Sequence, residues 1–382
     1  MIFRALMAPL LVVFAMAAPL AAAIKPAESP IKTAVKLANW QLERMKDPQL
    51  VSRWTFETNN PRAWEQAVFW VGMTELADAG APASIRNAIL QMGAANNWQP
   101  GERPYHADDH TITQSYLWAA KNGAPKGALA PTKAAFDRII DKPAITSLAF
   151  YAPPRGQGEI ECLTRWCWCD ALFMAPPALA ELSLQTGDPR YREFALKEFW
   201  ATTDFLYDPV EHLYYRDSRF FERRDDKQRK MFWSRGNGWV FAGMARIIPR
   251  LPQGSPDRQR MENLFREMAG KLKNIQKPDG YWAPSLLAPE NSPPETSGTG
   301  FFTYGMAWGV RNGLLPRAEY EPVARRGWDA LNRAIQPDGR LGYVQQVSDR
   351  PEKVEAMDTQ YYGVGAFLLA ATEIAALNRA SR

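Results

Sequence analysis

The sequence predicts an all-α protein whose paired helices form one domain. Apolar residues recur at helical spacing along most of the chain, strand patterns are scarce and short, and no linker interrupts residues 30–380. In residues 62–79, for example, Trp64, Val68 and Val71 fall near one helical face. Comparable apolar stripes run through 178–186, 193–206, 238–251, 261–275, 301–314, 320–335 and 361–377.

Two similar loops indicate that the helix pairs repeat. Residues 275–282 and 335–343 each end a helix with Asp-Gly and then supply an aromatic residue. Asp279 and Asp338 lie 59 positions apart, an interval that holds two helices and two loops. Helix pairs that close on themselves form a toroid, in which one ring of helices lies inside another. An open solenoid is the alternative that this pattern leaves.

Length, composition and charge restrict the function classes. With 382 residues, 46% of them hydrophobic, the chain can bury a large core. The formal charge of +5 is mild and no block of Lys and Arg occurs, so a nucleic-acid partner is not indicated. A weakly positive protein is compatible with a small anionic substrate.

The first 23 residues have the features of a secretory signal peptide. Arg4 precedes an apolar run over residues 5–20, and small alanines follow at 21–23. The alternative is an uncleaved anchor helix, which the short run and its prolines, Pro9 and Pro19, disfavour. We therefore expect a mature single domain over residues 24–382 that is exported, to the periplasm or beyond, with no membrane segment after cleavage.

The three cysteines, Cys162, Cys167 and Cys169, lie within one short stretch. This odd number is not a disulfide framework, although an exported protein can pair two of the three. The sequence does not say which two. The C-x4-C-x-C spacing fits a zinc site poorly.

Tryptophans flank polar residues in two segments. Trp166 and Trp168 precede Asp170, while Trp233 and Trp239 bracket Arg235. A single tryptophan most often packs in a core. Two such clusters in segments that should be loops favour sugar binding, because sugar rings offer apolar faces for stacking and hydroxyls for polar side chains.

Asp170 is the candidate general acid. It precedes the apolar run 171–176, and burial there would raise its pKa and keep it protonated. Its alternative role is to cap the helix that follows, and the two roles can coexist.

The segment 106–110 contributes further candidates. His106 and His110 would share a helix face and could bind zinc, but Ala107 stands where a metalloprotease has glutamate. We favour Asp108 and Asp109 as the source of a second carboxylate facing the acid. Serine-hydrolase, kinase and dehydrogenase motifs do not occur in the sequence.

Four motifs together resemble glycoside hydrolase family 105, the unsaturated rhamnogalacturonyl hydrolases, and more distantly the unsaturated glucuronyl hydrolases. The resemblance covers roughly residues 60–375 and implies a six-hairpin (α/α)6 barrel. The motifs, in the order of that family, are Tyr105-His-Ala-Asp-Asp-His110, Trp168-Cys-Asp-Ala-Leu-Phe-Met-Ala-Pro-Pro177, Trp233-Ser-Arg-Gly-Asn-Gly-Trp239 and Glu295-Thr-Ser-Gly-Thr-Gly-Phe-Phe-Thr-Tyr304.

The resemblance implies an acidic oligosaccharide substrate whose terminal uronic acid carries a C4=C5 double bond left by a lyase. The enzymes of this family hydrate that vinyl ether; Asp170 matches their catalytic aspartate, and a second aspartate falls at Asp108 or Asp109. No metal or organic cofactor is implied. The residues expected to contact substrate are His106, Trp168, Arg216, Arg235, Asn237, Trp239 and Thr299.

One position departs from the family. The rhamnogalacturonyl enzymes tend to have histidine where this chain has Arg216. A permanent cation could bind a carboxylate more strongly than a neutral imidazole, or indicate a different sugar beyond the cleaved bond. The sequence does not give the leaving sugar, the linkage or the oligomeric state.

Two other functions stay open from the residues alone. One is an ordinary glycosidase that uses two carboxylates on saturated glycosides. The other is a toroid that binds carbohydrate without catalysis.

Overall fold

A computed structural model describes residues 28–45, 47, 60–152 and 160–380. The predicted signal peptide lies outside this part. No helix in these ranges is long and apolar enough to cross a membrane. The described chain contains fourteen α-helices: α1 (Pro30–Leu42), α2 (Trp64–Asp78), α3 (Ala83–Ala95), α4 (Ala107–His110), α5 (Thr113–Lys121), α6 (Ala130–Asp141), α7 (Ala171–Met174), α8 (Pro176–Thr186), α9 (Pro189–Leu206), α10 (Ser234–Ile247), α11 (Pro256–Ile275), α12 (Thr296–Arg311), α13 (Arg317–Arg333) and α14 (Tyr361–Ala380).

Short elements complete the described chain. Strands β1 (Tyr207–Asp208) and β2 (Leu213–Tyr214) pair antiparallel, with Tyr207 opposite Tyr214. Turns of 3-10 helix span Glu161–Arg165, Ser218–Phe220 and Ile248–Arg250. These pieces lie in the connections between long helices.

The helices close into two concentric rings. In the described chain, α2, α5, α8, α10, α12 and α14 each contact the next of these helices, and α14 returns to α2. One outer helix precedes each inner helix along the chain: α1, α3, α6, α9, α11 and α13. The predicted (α/α)6 toroid is therefore confirmed, and the open solenoid is excluded because the ring closes.

Burial distinguishes the two rings. In α10 every residue is buried, and in α12 every residue except Arg311 is buried. The outer helix α13 buries one stripe that includes Tyr320, Val323 and Leu331. The stripe expected in residues 62–79 is a partial description, because α2 lies in the inner ring and buries nearly all of its faces.

Glycines allow the inner helices to approach closely where α14 crosses α2. A Cβ on Gly365 would lie 2.4 Å from the carbonyl oxygen of Val68, and one on Gly72 would lie 2.7 Å from the carbonyl oxygen of Gly365. Both obstacles are backbone atoms, which cannot rotate away. Closure of the ring between its first and last inner helices therefore requires these glycines.

The two Asp-Gly loops occupy equivalent places, each joining an outer helix to the next inner helix. Gly280 and Gly339 have φ of 89° and 90°, a conformation that suits glycine. The amides of Lys277 and Gln336 donate to the carbonyl oxygens four residues ahead, at 2.9 and 2.8 Å. This shared geometry confirms that the helix pair repeats.

Replacing Gly365 by alanine tests the close contact between α2 and α14. We expect the free energy of unfolding to fall by about 1–3 kcal/mol, because the added methyl group meets backbone. Gly270→Ala, on the outer helix α11, is the matched control: the nearest atom to its Cβ is the Tyr320 hydroxyl oxygen at 3.9 Å. That change should be neutral or stabilise the fold by up to about 1 kcal/mol. Denaturant unfolding of both variants would contradict the packing if Gly365→Ala were as stable as wild type.

Candidate active site

A cavity of about 550 Å³ opens at the end of the barrel where outer helices connect to inner helices. Its walls come from the start of α2, from the segments before α5, α8 and α10, and from the connection before α14. The lining residues are Trp64, Asp108, Trp168, Asp170, Met174, Arg216, Val347, Ser348, Asp349, Arg350 and Glu352.

Asp170 is buried in the cavity wall, with 8% of its surface exposed. Burial raises the pKa of its carboxyl, and repulsion by Asp108 raises it further. The cations Arg216 and Arg235 oppose this rise in pKa, as does the Cys169 thiol, which donates a hydrogen bond to Oδ2 of Asp170 at 3.4 Å. Asp170 stands at the N-cap of α7 but its side chain makes no capping hydrogen bond. Its environment is that of a proton donor.

The two neighbouring aspartates of α4 have different surroundings. Asp108 lines the cavity and acts electrostatically on Asp170. The carboxylate of Asp109 instead accepts hydrogen bonds from the amide of Arg103 at 2.6 Å, and from its Nε and Nη2 at 3.0 and 2.6 Å. The structure thus brings Asp108 to the candidate acid and engages Asp109 in an ion pair that fixes the loop before α4.

His106 and Trp168 lie next to each other beside the acids. Their ring centroids are 4.8 Å apart, and Nδ1 of His106 accepts a hydrogen bond from the Asp108 amide at 3.3 Å. His110 is buried elsewhere, with Nε2 2.9 Å from the carbonyl oxygen of Pro104. The two histidines therefore make separate contacts, and His106 supports the wall that Trp168 and Asp108 form.

Arg216 is the cation next to the acid. Its Nε lies 3.8 Å from Oδ2 of Asp170, and its Nη1 donates to Oδ2 of Asp217 at 2.7 Å. Asp217 is fully buried and also accepts from Nε and Nη2 of Arg219, at 2.8 and 2.7 Å. Burial lowers the pKa of Arg216, but the neighbouring Asp170 and Asp217 outweigh burial and raise that pKa above its usual range, so the guanidinium stays charged.

Arg235 lies behind the cavity lining and supports it. It is 1% exposed, and its guanidinium lies between the rings of Trp233 and Tyr362, 4.4 and 4.7 Å from their centroids. Nη1 donates to the carbonyl oxygen of Gln345 at 2.7 Å and Nη2 to that of Gln346 at 3.0 Å. These bonds hold the start of the wall segment 347–352, and Arg235 does not itself line the cavity.

Asn237, Trp239 and Thr299 are fully buried and also lie behind the cavity lining. The Asn237 side chain accepts from the amide of Tyr214 at 2.7 Å and donates to its carbonyl oxygen at 3.0 Å, which fixes β2 beside Arg216. Thr299 Oγ1 accepts from the Trp282 amide at 3.1 Å.

Trp239 packs edge-on against Trp64 with 6.1 Å between ring centroids. Of the seven residues expected to contact substrate, the structure thus brings only Trp168 and Arg216 to the lining. Arg235, Asn237, Trp239 and Thr299 are buried behind that lining. Their contact with substrate stays a prediction.

The sequence did not indicate the wall segment 347–352 or Trp64. The segment is polar and lacks a motif, and the only available signal was its position after the second Asp-Gly loop. Arg219 donates to Oδ2 of Asp349 at 2.7 Å, which joins this segment to Asp217. Arg350 Nε donates to Oδ1 of Asp349 at 2.9 Å.

The three cysteines are buried in the segment that precedes Asp170. Cys162 and Cys167 form a disulfide, and Cys169 is free and buried in the described chain. The pairing that the sequence left open is therefore between the first two.

The fold and this acid-bearing cavity define an (α/α)6-barrel glycoside hydrolase. The sequence profile of Glycosyl Hydrolase Family 88 matches residues 33–378, and the chain belongs to that family. This confirms the predicted relationship with the family 105 and unsaturated glucuronyl hydrolases.

Similar proteins agree with this assignment. An "Unsaturated 3S-rhamnoglycuronyl hydrolase" from Alteromonas sp. (strain LOR) is 42% identical over 349 residues, 90% of this chain and 84% of that protein. One of the same name from Formosa agariphila is 37% identical, over 82% of this chain and 84% of its own length.

Among solved structures, a family 88 glycosyl hydrolase from Bacteroides vulgatus matches with a TM-score of 0.77 and 28% identity, covering 91% of this chain and 99% of that one. A chain described as a polysaccharide lyase matches with a TM-score of 0.76 and 28% identity, over 92% and 97% of the two chains.

Asparagine substitutions at the two adjacent aspartates test which of them serves the active site. We expect Asp108→Asn to lower kcat by about 100-fold or more, because it removes a carboxylate from the cavity. Asp109→Asn should keep kcat within a few-fold and lower the free energy of unfolding by about 1–3 kcal/mol, because it weakens the bonds to Arg103. A folded Asp109→Asn variant as inactive as Asp108→Asn would contradict this assignment.

Proposed function

We propose that this hydrolase removes a terminal 4,5-unsaturated uronic acid from oligosaccharides released by polysaccharide lyases. The observation that carries the proposal is Asp170, a buried carboxyl with a raised pKa that shares one cavity with Asp108, Trp168 and the cation Arg216. Relatives that are 42% and 37% identical, both named unsaturated 3S-rhamnoglycuronyl hydrolases, support the reaction class.

The same relatives support a narrower substrate. The resemblance to rhamnogalacturonyl and glucuronyl hydrolases left the sugar beyond the cleaved bond open. We infer that the sugar beyond the cleaved bond is the 3S-rhamnose of those names, since a relative named for rhamnogalacturonan, from Bacillus subtilis, is only 24% identical.

In the proposed mechanism the carboxyl of Asp170 donates its proton to C4 of the double bond. The carboxylate left behind takes a proton from water as the oxygen of that water bonds to C5, so Asp170 ends the step protonated. The resulting hemiketal opens at its ring oxygen and leaves a hydroxyl at C1. Collapse of that hemiacetal to the aldehyde releases the leaving sugar. Asp108 stabilises positive charge that develops on the ring during protonation.

Ultraviolet absorbance of the conjugated C4=C5 carboxylate tests the chemistry. Wild-type protein would be mixed with lyase-generated unsaturated disaccharides that carry 3S-rhamnose, a pectin sugar or a glucuronate-polymer sugar on the leaving side. We expect absorbance to fall fastest with 3S-rhamnose. Asp170→Asn should bind the same disaccharide and lose turnover by about 1,000-fold or more.

The other outcomes identify the alternatives. Turnover of saturated glycosides without loss of absorbance would indicate a two-carboxylate glycosidase. Binding unaffected by Asp170→Asn, with no turnover of any substrate, would indicate a carbohydrate-binding toroid. A rise in absorbance with intact polysaccharide would indicate β-elimination, as in the neighbour described as a lyase.

We also propose that the protein is exported after cleavage behind Ala23, which the composition of residues 1–23 supports. N-terminal sequencing of the protein recovered from the periplasmic or extracellular fraction of its host should begin at Ile24. Recovery only from the cytoplasm, with Met1 retained, would contradict export.

A further inference from the structure

Arg216 lies between two carboxyl groups that use different parts of its guanidinium. Nη1 is occupied by the buried Asp217 at 2.7 Å. Nε faces Asp170 at 3.8 Å, too far for a hydrogen bond, and it is buried without a hydrogen-bond partner among the described residues. A buried charged donor left unpaired is costly, and a ligand that accepts from it would remove that cost.

The anchoring of Arg216 leaves its charge available to the cavity. Asp217 is shared with Arg219, which donates to it through Nε and Nη2. Arg219 in turn donates to Asp349, whose other oxygen accepts from Arg350. Asp217 and Asp349 thus each accept hydrogen bonds from two arginine side chains. Arg216 lines the cavity and keeps a buried donor without a hydrogen-bond partner among the described residues.

Several charged or titratable groups face Asp170. Asp108 on α4 repels its ionised form, and burial disfavours that form too. Arg216 after β2 and Arg235 on α10 favour the ionised form, as does the adjacent Cys169 thiol. Of the two cations, Arg216 lines the cavity and Arg235 is bonded to backbone carbonyls. Of these two cations beside Asp170, Arg216 is therefore the one within reach of a ligand.

We propose that Arg216 binds the carboxylate of the unsaturated uronic acid and that this contact makes Asp170 take up its catalytic proton as substrate binds. The inference rests on the proposed function. In the free enzyme Arg216 stabilises the Asp170 carboxylate. Once a substrate carboxylate pairs with Arg216, its charge is compensated and a further anion stands near Asp170. Both effects favour the protonated acid.

This coupling gives a defined pH dependence. The reaction needs protonated Asp170, so its rate falls as pH rises through the pKa of that group. The pH at which kcat/KM falls gives the pKa of Asp170 in the free enzyme. The pH at which kcat falls gives the pKa of Asp170 in the enzyme–substrate complex. The limb of kcat should therefore lie at higher pH, by about one pH unit. The methyl ester of the same substrate lacks the anion, and its two limbs should coincide.

Comparing the acid and its methyl ester as substrates of wild type and of Arg216 variants tests the contact itself. Wild type should prefer the acid over the methyl ester by about 100-fold or more in kcat/KM, and Arg216→Gln should reduce that preference to a few-fold. Arg216→Gln should also move the descending limb of kcat/KM to higher pH. Arg216→Lys keeps a charge and should retain part of the preference. Arg350→Gln, at the other guanidinium of the cavity, is the matched control and should retain all of it.

The outcomes distinguish this inference from the proposed function. Loss of the preference in Arg350→Gln and not in Arg216→Gln would overturn the inference while the function stands. If kcat and kcat/KM for the acid substrate fell at the same pH, the proton coupling would be overturned. If wild type turns over no unsaturated uronide, the function fails. Calorimetric binding of saturated glucuronate and its methyl ester to wild type and Arg216→Gln then decides the carboxylate site directly.

Discussion

Closure of the inner helical ring is the constraint on which the rest of the structure depends. The ring closes only because α2 and α14 approach until the backbone at Val68 and Gly365 is almost in contact. With the ring closed, the segments that enter α2, α5, α8, α10 and α14 meet at one end of the barrel. Residues as distant in sequence as Trp64 and Glu352 therefore share one cavity. The helices are the scaffold, and the chemistry belongs to the connections.

Buried charge organises that end of the barrel. Burial raises the pKa of Asp170, while the neighbouring Arg216 favours its ionised form. The fold tolerates this because Arg216 is itself compensated by Asp217, which no water reaches. Arg219 then extends the same network to Asp349 in the 347–352 segment. The same network of ion pairs therefore positions the cavity-lining Arg216 beside Asp170 and holds the 347–352 segment.

The supporting residues show why a motif alone misleads. The segment Trp233-Ser-Arg-Gly-Asn-Gly-Trp239 contains polar and aromatic residues. From the sequence, these residue types fit a sugar-binding surface and buried support equally well. In this chain Arg235 bonds the carbonyl oxygens of Gln345 and Gln346, and Asn237 bonds the backbone of Tyr214. The residue types were informative about proximity to the site. They carried no information on which side of the wall each one faces.

The sequence by itself determined the helical class and the repeat of helix pairs, because these depend on local periodicity and turn chemistry. It also predicted Asp170 as the candidate acid, from the polarity of its neighbours and from the family resemblance. Only the tertiary structure decided that the ring closes, that Asp108 and not Asp109 meets the acid, and that the 347–352 segment forms a wall. Those outcomes depend on contacts between residues far apart in the chain. Asp108 and Asp109 are adjacent and chemically identical in the sequence. In the structure Asp109 bonds to Arg103, while Asp108 lines the cavity.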